Sequence, residues 1–215
     1  SLVWAAIKVF DELAGLVTLP LQQVANAGVA DIRLGMTTTP TTAGDFYAYA
    51  YFPGDGSGGD VWLAPYRFGS AFAGQYAYDT LLHEVGHAVG LKHGHEAQPA
   101  LESYAVLPAA MDSSEFSVMT YRSYVDGPLY ATARDFPQSF MLLDIAALQW
   151  IYGANYETRA GDTTYRFDPA SGEMFVDGVG QGVPQAAYAP SGVLFRTIWD
   201  GGGTDTLNLS NYTTD

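Results

Sequence analysis

One segment constrains this chain more than any other: residues 83–93 read His-Glu-Val-Gly-His-Ala-Val-Gly-Leu-Lys-His. Residues four positions apart on a helix lie on one face about one turn apart, so His83 and His87 can bind a single metal ion. Glu84, between them, can hold a water molecule at that ion. Gly90 can adopt the left-handed conformation that ends a helix, which brings the chain back and makes His93 a third ligand.

Three protein ligands with an open fourth position are typical of a catalytic zinc site rather than a structural one. The alternative is an ordinary amphipathic helix with scattered histidines. All 4 histidines of the chain fall between positions 83 and 95, whereas histidines without a role should be dispersed. The spacing therefore predicts a zinc site formed by His83, His87 and His93.

A second motif supports this interpretation. The pattern H-E-x-x-H-x-x-G-x-x-H resembles that of the metzincin metallopeptidases, whose second signature is a methionine-containing turn beneath the zinc. Residues 117–121, Ser-Val-Met-Thr-Tyr, fit that turn. The resemblance implies that Met119 forms an apolar floor and that Tyr121 is an additional, displaceable zinc ligand. With these four ligands in place, His95 is expected to be a solvent-exposed loop residue.

Within the metzincins, residues 143–149, 152–155 and 198–207 resemble the serralysins in particular. The resemblance covers most of the chain from about Ala30 onward, although Gly94 stands where serralysins usually have proline. An astacin is the nearest rival, but astacins rely on disulfides and this chain has no cysteine. A matrixin would not need Tyr121.

The resemblance implies an α+β fold: a metzincin-type catalytic domain with a twisted, mixed five-stranded sheet, a long active-site helix and a second, C-terminal helix. The start of a calcium-binding β-roll region follows. We expect a protease domain at residues 1–155, with its first strand missing through cleavage or truncation, and a calcium-binding junction at 156–215. A single copy of the roll repeat cannot stack, so further repeats are expected beyond Asp215 or on another chain.

Charge narrows the range of partners. The chain has 9 basic and 23 acidic residues and a net charge of −14, which repels nucleic acid and anionic membranes but suits calcium. Without cysteines, calcium could supply the cross-links that disulfides provide in other extracellular proteins. The sequence shows neither a membrane-spanning run nor a signal peptide. We expect a monomer.

Periodicity indicates the main elements. Apolar residues from Leu2 to Ala14, including Leu2, Ala6, Ile7, Phe10 and Leu13, predict a first amphipathic helix. A second begins near Gln75, and a third covers 141–150 and ends at Gly153. Residues 31–35, 47–52 and 59–63 are typical of strands. In metzincins the strand equivalent to 47–52 is the sheet edge to which substrate adds, so the substrate-binding residues are expected to be Tyr47, Ala48, Tyr49 and Ala50. Alternatively, the tyrosines simply cover one face of a sheet.

Two later loops resemble serralysin loops that enclose a calcium ion. The implied ligands are backbone carbonyls and two carboxylates, contributed by Arg159, Gly161, Thr163, Asp200, Gly202 and Asp205. The alternative is a pair of hairpin turns, which aspartate and glycine commonly form by themselves.

Taken together, these features predict a secreted zinc endopeptidase that hydrolyses protein or peptide substrates, with Glu84 as general base and Tyr121 assisting. The family implies export from a bacterium to the exterior or cell surface through a C-terminal signal that this chain does not contain. The alternative is a non-enzymatic, calcium-dependent surface or adhesion module with a relic zinc site. Glu84 argues against it, because a relic has no need of a general base between its ligands.

Overall fold

The structure is a computed structural model that describes residues 1–38, 47–69, 71–96, 106–127, 136–184 and 192–213. Its described part contains three α-helices: α1 (Leu2–Leu16), α2 (Tyr76–Ala88) and α3 (Leu142–Tyr152). The strands are β1 (Leu34–Met36), β2 (Ala48–Ala50), β3 (Val61–Leu63), β4 (Thr164–Phe167), β5 (Met174–Val176), β6 (Val179–Gly180) and β7 (Thr206–Asn208). Short 3-10 helices occupy Ala27–Val29 and Ala109–Met111. The predicted α+β class is confirmed.

The first sheet has the strand order β1-β3-β2. Strand β3 pairs in parallel with β1 and antiparallel with β2, so the sheet is mixed, as predicted. Val61 and Leu63 of β3 are fully buried, whereas Trp62 between them is half-buried, which is the alternation expected of a sheet with one covered face. The described residues supply three strands to this sheet rather than the five predicted. Strand pairing depends on distant segments, which local patterns do not reveal.

The main core lies between this sheet and the helices. On α1 the buried stripe consists of Ala5, Val9, Leu13 and Leu16, which face the core at helical spacing. The predicted buried side of α1 was partly wrong, because Ile7 is 42% exposed. Apolar residues occupy more than one side of this helix, so its spacing alone does not identify the packed stripe.

Helix α3 ends as predicted at Gly153, which has φ +81°. Its start is fixed by Asp144, whose Oδ2 accepts a hydrogen bond from the Met141 N–H at 2.9 Å. The other side of α3 is exposed although it is apolar, and Trp150 has 91% of its surface in solvent.

The second sheet has the order β6-β5-β4-β7, with β4 antiparallel to β5 and parallel to β7. Its own core is small and consists of Tyr165, Phe167 and Met174. This part of the chain is tied to the end of α1, since the Asn155 and Thr158 side chains donate to the carbonyls of Ala14 and Gly15 at 2.9 and 2.7 Å. The domain boundary after residue 155 and the start of a β-roll remain predictions. None of the helices in the described part of the chain is long and apolar enough to span a membrane.

Candidate metal centre

The end of α2 has the geometry that the sequence predicts. Gly90 has φ +101°, and its N–H donates to the His87 carbonyl at 2.9 Å, while the Leu91 N–H donates to the Gly86 carbonyl at 2.8 Å. These two bonds form a Schellman motif, which ends a helix and turns the chain back. The turn brings His93 to the helix face that carries the other two histidines.

Three imidazole nitrogens meet at one point. The His93 Nε2 lies 3.0 Å from the Nε2 atoms of both His83 and His87. Two nitrogens that bind one tetrahedral zinc ion at about 2.0–2.1 Å lie about 3.3 Å apart, so the three side chains need to move very little to hold the ion. The structure thus brings together the three predicted histidine ligands.

The opposite nitrogen of each ring is held by an acceptor. The Nδ1 atoms of His83 and His87 contact the carbonyl oxygens of Val118 and Leu91, both at 2.7 Å, and the Nδ1 of His93 contacts Glu96 Oε2 at 2.9 Å. Each Nδ1 must therefore carry the proton, which leaves the three Nε2 lone pairs facing one another. Such an arrangement is repulsive unless a cation lies between the lone pairs. The chemistry of this donor set fits a zinc ion.

Burial keeps these rings neutral. It lowers the pKa of His83 to about 3, with a further decrease from neighbouring His87, and lowers the pKa of His87 to about 4. The pKa of His93 is also lowered, mainly by burial. Because a metal competes with protons for the same lone pairs, neutral imidazoles at neutral pH favour metal binding.

Tyr121 reaches the same point from the opposite side. Its hydroxyl lies 2.8 Å from the His93 Nε2, and its ring stacks on His83 at a centroid distance of 5.8 Å. The Tyr121 hydroxyl is thus a fourth oxygen or nitrogen donor beside the three histidines. The resemblance predicted Tyr121 at this position.

The turn that carries Met119 is anchored by a buried carboxylate of α3. Asp144 accepts hydrogen bonds from the Ser117 hydroxyl at 2.6 Å and from the Val118 N–H at 2.8 Å. The carbonyl of Val118 in turn holds His83. This role of Asp144 was missed by sequence analysis. The signal available was a carboxylate in a mainly apolar helix.

Met119 packs directly beneath the metal ligands. A Cβ atom on Gly86, which lies between His83 and His87, would be 2.7 Å from the Met119 sulfur. The absence of a side chain at Gly86 therefore allows the methionine to approach α2 closely. Met119 is 2% exposed, as expected of an apolar floor.

Comparison with known proteins supports the resemblance to serralysins. A model of the family described as "Peptidase M10 serralysin C terminal" matches residues 154–215. Serralysin C of Dickeya chrysanthemi is 37% identical over 177 residues, which cover 77% of this chain and 34% of that protein. Metallopeptidase AprA of Pseudomonas marginalis is 33% identical over 192 residues, covering 77% and 35%. Serralysin of Proteus mirabilis is 28% identical over 231 residues, covering 98% and 44%.

The chain is serralysin-like. The resemblance inferred from its motifs is confirmed over most of its length. The chain spans about a third of the length of the first two of these curated relatives and less than half of the third.

Glu84 lies on α2 between two of the histidine ligands and is 7% exposed. Burial raises the pKa of its carboxyl to about 8. A nearby cation favours the ionised form of a carboxyl, so a bound metal ion would bring this pKa back down.

His95 differs from the prediction. Its side chain is 17% exposed, and its ring stacks on His93 at a centroid distance of 5.6 Å. His93, His95 and Glu96 form a second group whose donor atoms could hold a metal ion. This group shares His93 with the first, and the His93 Nδ1 cannot both donate to Glu96 and bind a cation. We therefore interpret Glu96 as an orienting acceptor for His93 that sequence analysis missed.

The predicted substrate strand is at the edge of the first sheet. Its ladder includes hydrogen bonds from the Ala64 N–H to the Tyr47 carbonyl and from the Tyr51 N–H to the Asp60 carbonyl. Antiparallel pairs alternate, so the backbone groups of Ala48 and Ala50 point away from β3. No described strand pairs with that side of β2. Phe52, just beyond the strand, contacts His87 with a ring centroid distance of 5.4 Å, so the edge adjoins the metal centre.

The two loops predicted to bind calcium lie against each other. The Thr163 N–H donates to Asp205 Oδ1 at 2.9 Å, and the Gly201 N–H donates to the Thr158 carbonyl at 2.8 Å. Arg159 has φ +52°, a conformation that is uncommon for a residue with a side chain. Asp200 accepts from the Gly202 N–H at 3.0 Å and from the Tyr165 hydroxyl.

Proposed function

We propose that this chain is the catalytic part of a secreted zinc endopeptidase that acts on protein or peptide substrates. The observation that carries the proposal is the convergence of the His83, His87 and His93 Nε2 atoms at 3.0 Å, each ring held through its Nδ1. An arrangement of lone pairs that needs a cation, with Glu84 beside it, supports catalysis rather than a relic site. The relatives named serralysin and metallopeptidase support the same class.

Zinc, when bound, supplies Lewis-acid polarisation of the scissile carbonyl and makes water acidic enough to be deprotonated at neutral pH. His83, His87 and His93 would hold the ion, and Tyr121 would be a fourth, displaceable ligand. The anchoring of each ring by an acceptor keeps its Nε2 aimed at one point, so little reorganisation is needed on binding.

Glu84 accepts the proton of the attacking water and delivers it to the nitrogen of the departing amine. The carboxylate is suited to this role because two opposing effects set its pKa: burial raises it, and a bound cation would lower it. A general base of this kind contributes about 10²–10⁴-fold to the rate.

Tyr121 would be a displaceable ligand of the ion, and its hydroxyl would donate a hydrogen bond to the substrate oxygen that becomes negative. Such a donor is worth about 3 kcal/mol in comparable sites. The Tyr121 hydroxyl lies 2.8 Å from His93 Nε2, which supports a position of this hydroxyl beside the reacting carbonyl of the substrate.

The substrate adds to the sheet as an antiparallel strand. The outward backbone groups of Ala48 and Ala50 offer main-chain hydrogen bonds, and Tyr47 and Tyr49 flank them. Main-chain pairing of this kind does not depend on one side-chain sequence, which suits an endopeptidase.

The loops at 159–163 and 200–205 would hold a calcium ion between them. The carboxylates of Asp200 and Asp205, with carbonyls of Arg159, Gly161, Thr163 and Gly202, offer the all-oxygen shell that the ion prefers. The contact of Thr163 with Asp205 supports the pairing of these loops. The ion would cross-link these two loops within residues 156–215.

The test of the proposed function is Glu84→Gln, which keeps the size of the side chain but removes its proton acceptor. Zinc content, measured by elemental analysis, should remain that of the parent protein. Hydrolysis of a fluorogenic peptide should fall at least about a hundredfold, whereas binding of the peptide should persist. The matched control is Glu115→Gln, an exposed acid near the Met119 turn, which should leave hydrolysis unchanged.

Two outcomes would contradict the proposal. One is a zinc-loaded parent protein without peptidase activity, which would favour the surface or adhesion module. The other is hydrolysis by Glu84→Gln at the rate of the parent, which would exclude Glu84 as general base.

A further inference from the structure

We propose that Asp112 is a positioning residue that keeps Tyr121 at the metal centre by holding the residue on each side of it. The proposal rests on the role of Tyr121 given above and deepens it. Asp112 lies at the end of the Ala109–Met111 helix, and its hydrogen bonds go to the two neighbours of Tyr121 rather than to a metal ligand.

Both oxygens of the Asp112 carboxylate are used. Oδ1 accepts a hydrogen bond from the Thr120 hydroxyl at 2.5 Å, and Oδ2 accepts from the Arg122 Nε at 3.0 Å. Asp112 is 6% exposed, so these bonds form in a region of low dielectric, where charge-assisted bonds are strong. One side chain therefore holds both neighbours of Tyr121.

Further bonds stiffen the same backbone. The Arg122 N–H donates to the Thr120 hydroxyl oxygen at 3.2 Å, and the Ser114 N–H donates to the Arg122 carbonyl at 2.8 Å. The Arg122 guanidinium also donates to the Gly127 carbonyl. The backbone of Tyr121 is thus fixed at both ends, while its side chain extends towards His93.

The loop after the third ligand meets the same carboxylate. The His95 Nδ1 lies 3.7 Å from Asp112 Oδ1, and the His95 ring lies 4.9 Å from the Tyr121 ring. Asp112 thus contacts both the backbone neighbours of Tyr121 and His95, whose ring lies beside the Tyr121 ring. A displacement of about 1 Å at a reacting group can reduce the rate about a hundredfold, so the precision of this support matters for turnover.

The test uses Asp112→Asn, because asparagine has one acceptor oxygen and can keep only one of the two bonds. The matched control is Asp60→Asn. Asp60 is also 6% exposed and accepts from an arginine Nε, that of Arg33, at 2.5 Å, but it lies beside β3. Both variants should lower the melting temperature to a similar extent, which separates a structural effect from a positioning effect.

The decisive measurement is the absorption of the copper(II)-loaded protein, since imidazole sites bind copper and a phenolate ligand adds a charge-transfer band. Asp112→Asn should retain copper but lose most of the band, and its zinc form should lose about tenfold in kcat with little change in KM. Asp60→Asn should keep both the band and kcat. Hydrogen exchange of the metal-free protein should rise at residues 120–122 in Asp112→Asn alone.

Each other outcome has a definite meaning. If Tyr121→Phe loses the band and Asp112→Asn keeps it, the positioning role is wrong and the proposed function stands. If Tyr121→Phe also leaves the spectrum unchanged, Tyr121 is not a ligand, so its proposed role and the inference about Asp112 are both wrong, while the endopeptidase proposal is still decided by Glu84→Gln. Should Asp112→Asn not fold, the pair Thr120→Val and Arg122→Gln removes the same two bonds, and an unchanged band in the double variant overturns the inference.

Discussion

The metal centre and the C-terminal sheet are built in different ways. Around the centre, every histidine ligand is held by a second contact, and the Met119 turn is tied to α3 by buried Asp144. The sheet β6-β5-β4-β7 has a core of only Tyr165, Phe167 and Met174, and Leu207 on its β7 edge is 60% exposed.

This difference indicates that the two regions are stabilised by different interactions. Burial and hydrogen bonds fix the side chains around the metal centre, so their positions depend on the packed core of the domain. The C-terminal sheet buries little apolar surface, and small sheets are marginal on so small a core. We expect its stability to depend on calcium and on whatever packs against its exposed edge.

The largest effect should come from Asp144→Ala. The change leaves three buried donors without an acceptor, those of Ser117, Val118 and Met141, and should lower the free energy of unfolding by about 3 kcal/mol. Denaturant titration measures it. The control is Asp168→Ala in the C-terminal sheet, where the acceptor of two hydrogen bonds lies in a surface turn, and its effect should be much smaller. Equal effects would remove the contrast between the two regions.

Calcium removal should act on the other region. At a calcium concentration about a hundred times the dissociation constant, binding stabilises the folded form by about 2.7 kcal/mol. Chelation of calcium alone should therefore increase hydrogen exchange and proteolytic cutting between residues 156 and 213 before α2 is affected. If cutting in that segment is the same with and without calcium, the calcium site is wrong.

Asp79→Asn should raise the free energy of unfolding at pH 8 by about 2 kcal/mol. This gain is smaller than the full pKa shift would give, because the asparagine amide is still a polar group at that position. Burial, with a contribution from nearby Asp144, raises the pKa of Asp79 from 3.8 to about 8. A carboxyl whose folded pKa exceeds its unfolded pKa contributes most stability below the unfolded value, and this contribution is lost as pH rises towards 8. The variant should flatten the melting-temperature profile between pH 4 and 8 and be the more stable protein at pH 8. A profile parallel to that of the parent would show that the pKa of Asp79 is not raised.

The smallest effect should come from Glu96→Gln. The amide oxygen can still accept from the His93 Nδ1, but without charge, so zinc affinity should fall about tenfold, the low end for an orienting partner. Competition with a chelator measures the affinity. Glu157→Gln, an exposed acid far from the site, is the control and should bind zinc like the parent.

Tyr121→Phe tests whether Tyr121 at the metal centre acts in catalysis or in holding the metal. Three histidines suffice to keep zinc, so metal content should be unchanged while kcat falls more than KM rises. Loss of the metal would show that Tyr121 is structural.

The sequence by itself determined the features that follow from spacing. His83 and His87 share a face because a helix repeats every 3.6 residues, and Gly90 turns the chain because only glycine adopts φ +101° at little cost. The boundaries of α2 and α3 and the class of the fold follow from the same local rules. These features are short-range, so a pattern within about ten residues contains them.

The tertiary structure decided everything that depends on distant partners. The hydrogen bonds of Asp144 to the Met119 turn, of Asp112 to both neighbours of Tyr121 and of Glu96 to His93 depend on how loops meet in space. The buried stripe of α1 was likewise decided by packing, because apolar residues occupy several sides of this helix. Long-range contacts of this kind follow no period in the sequence, so only the folded chain reveals them.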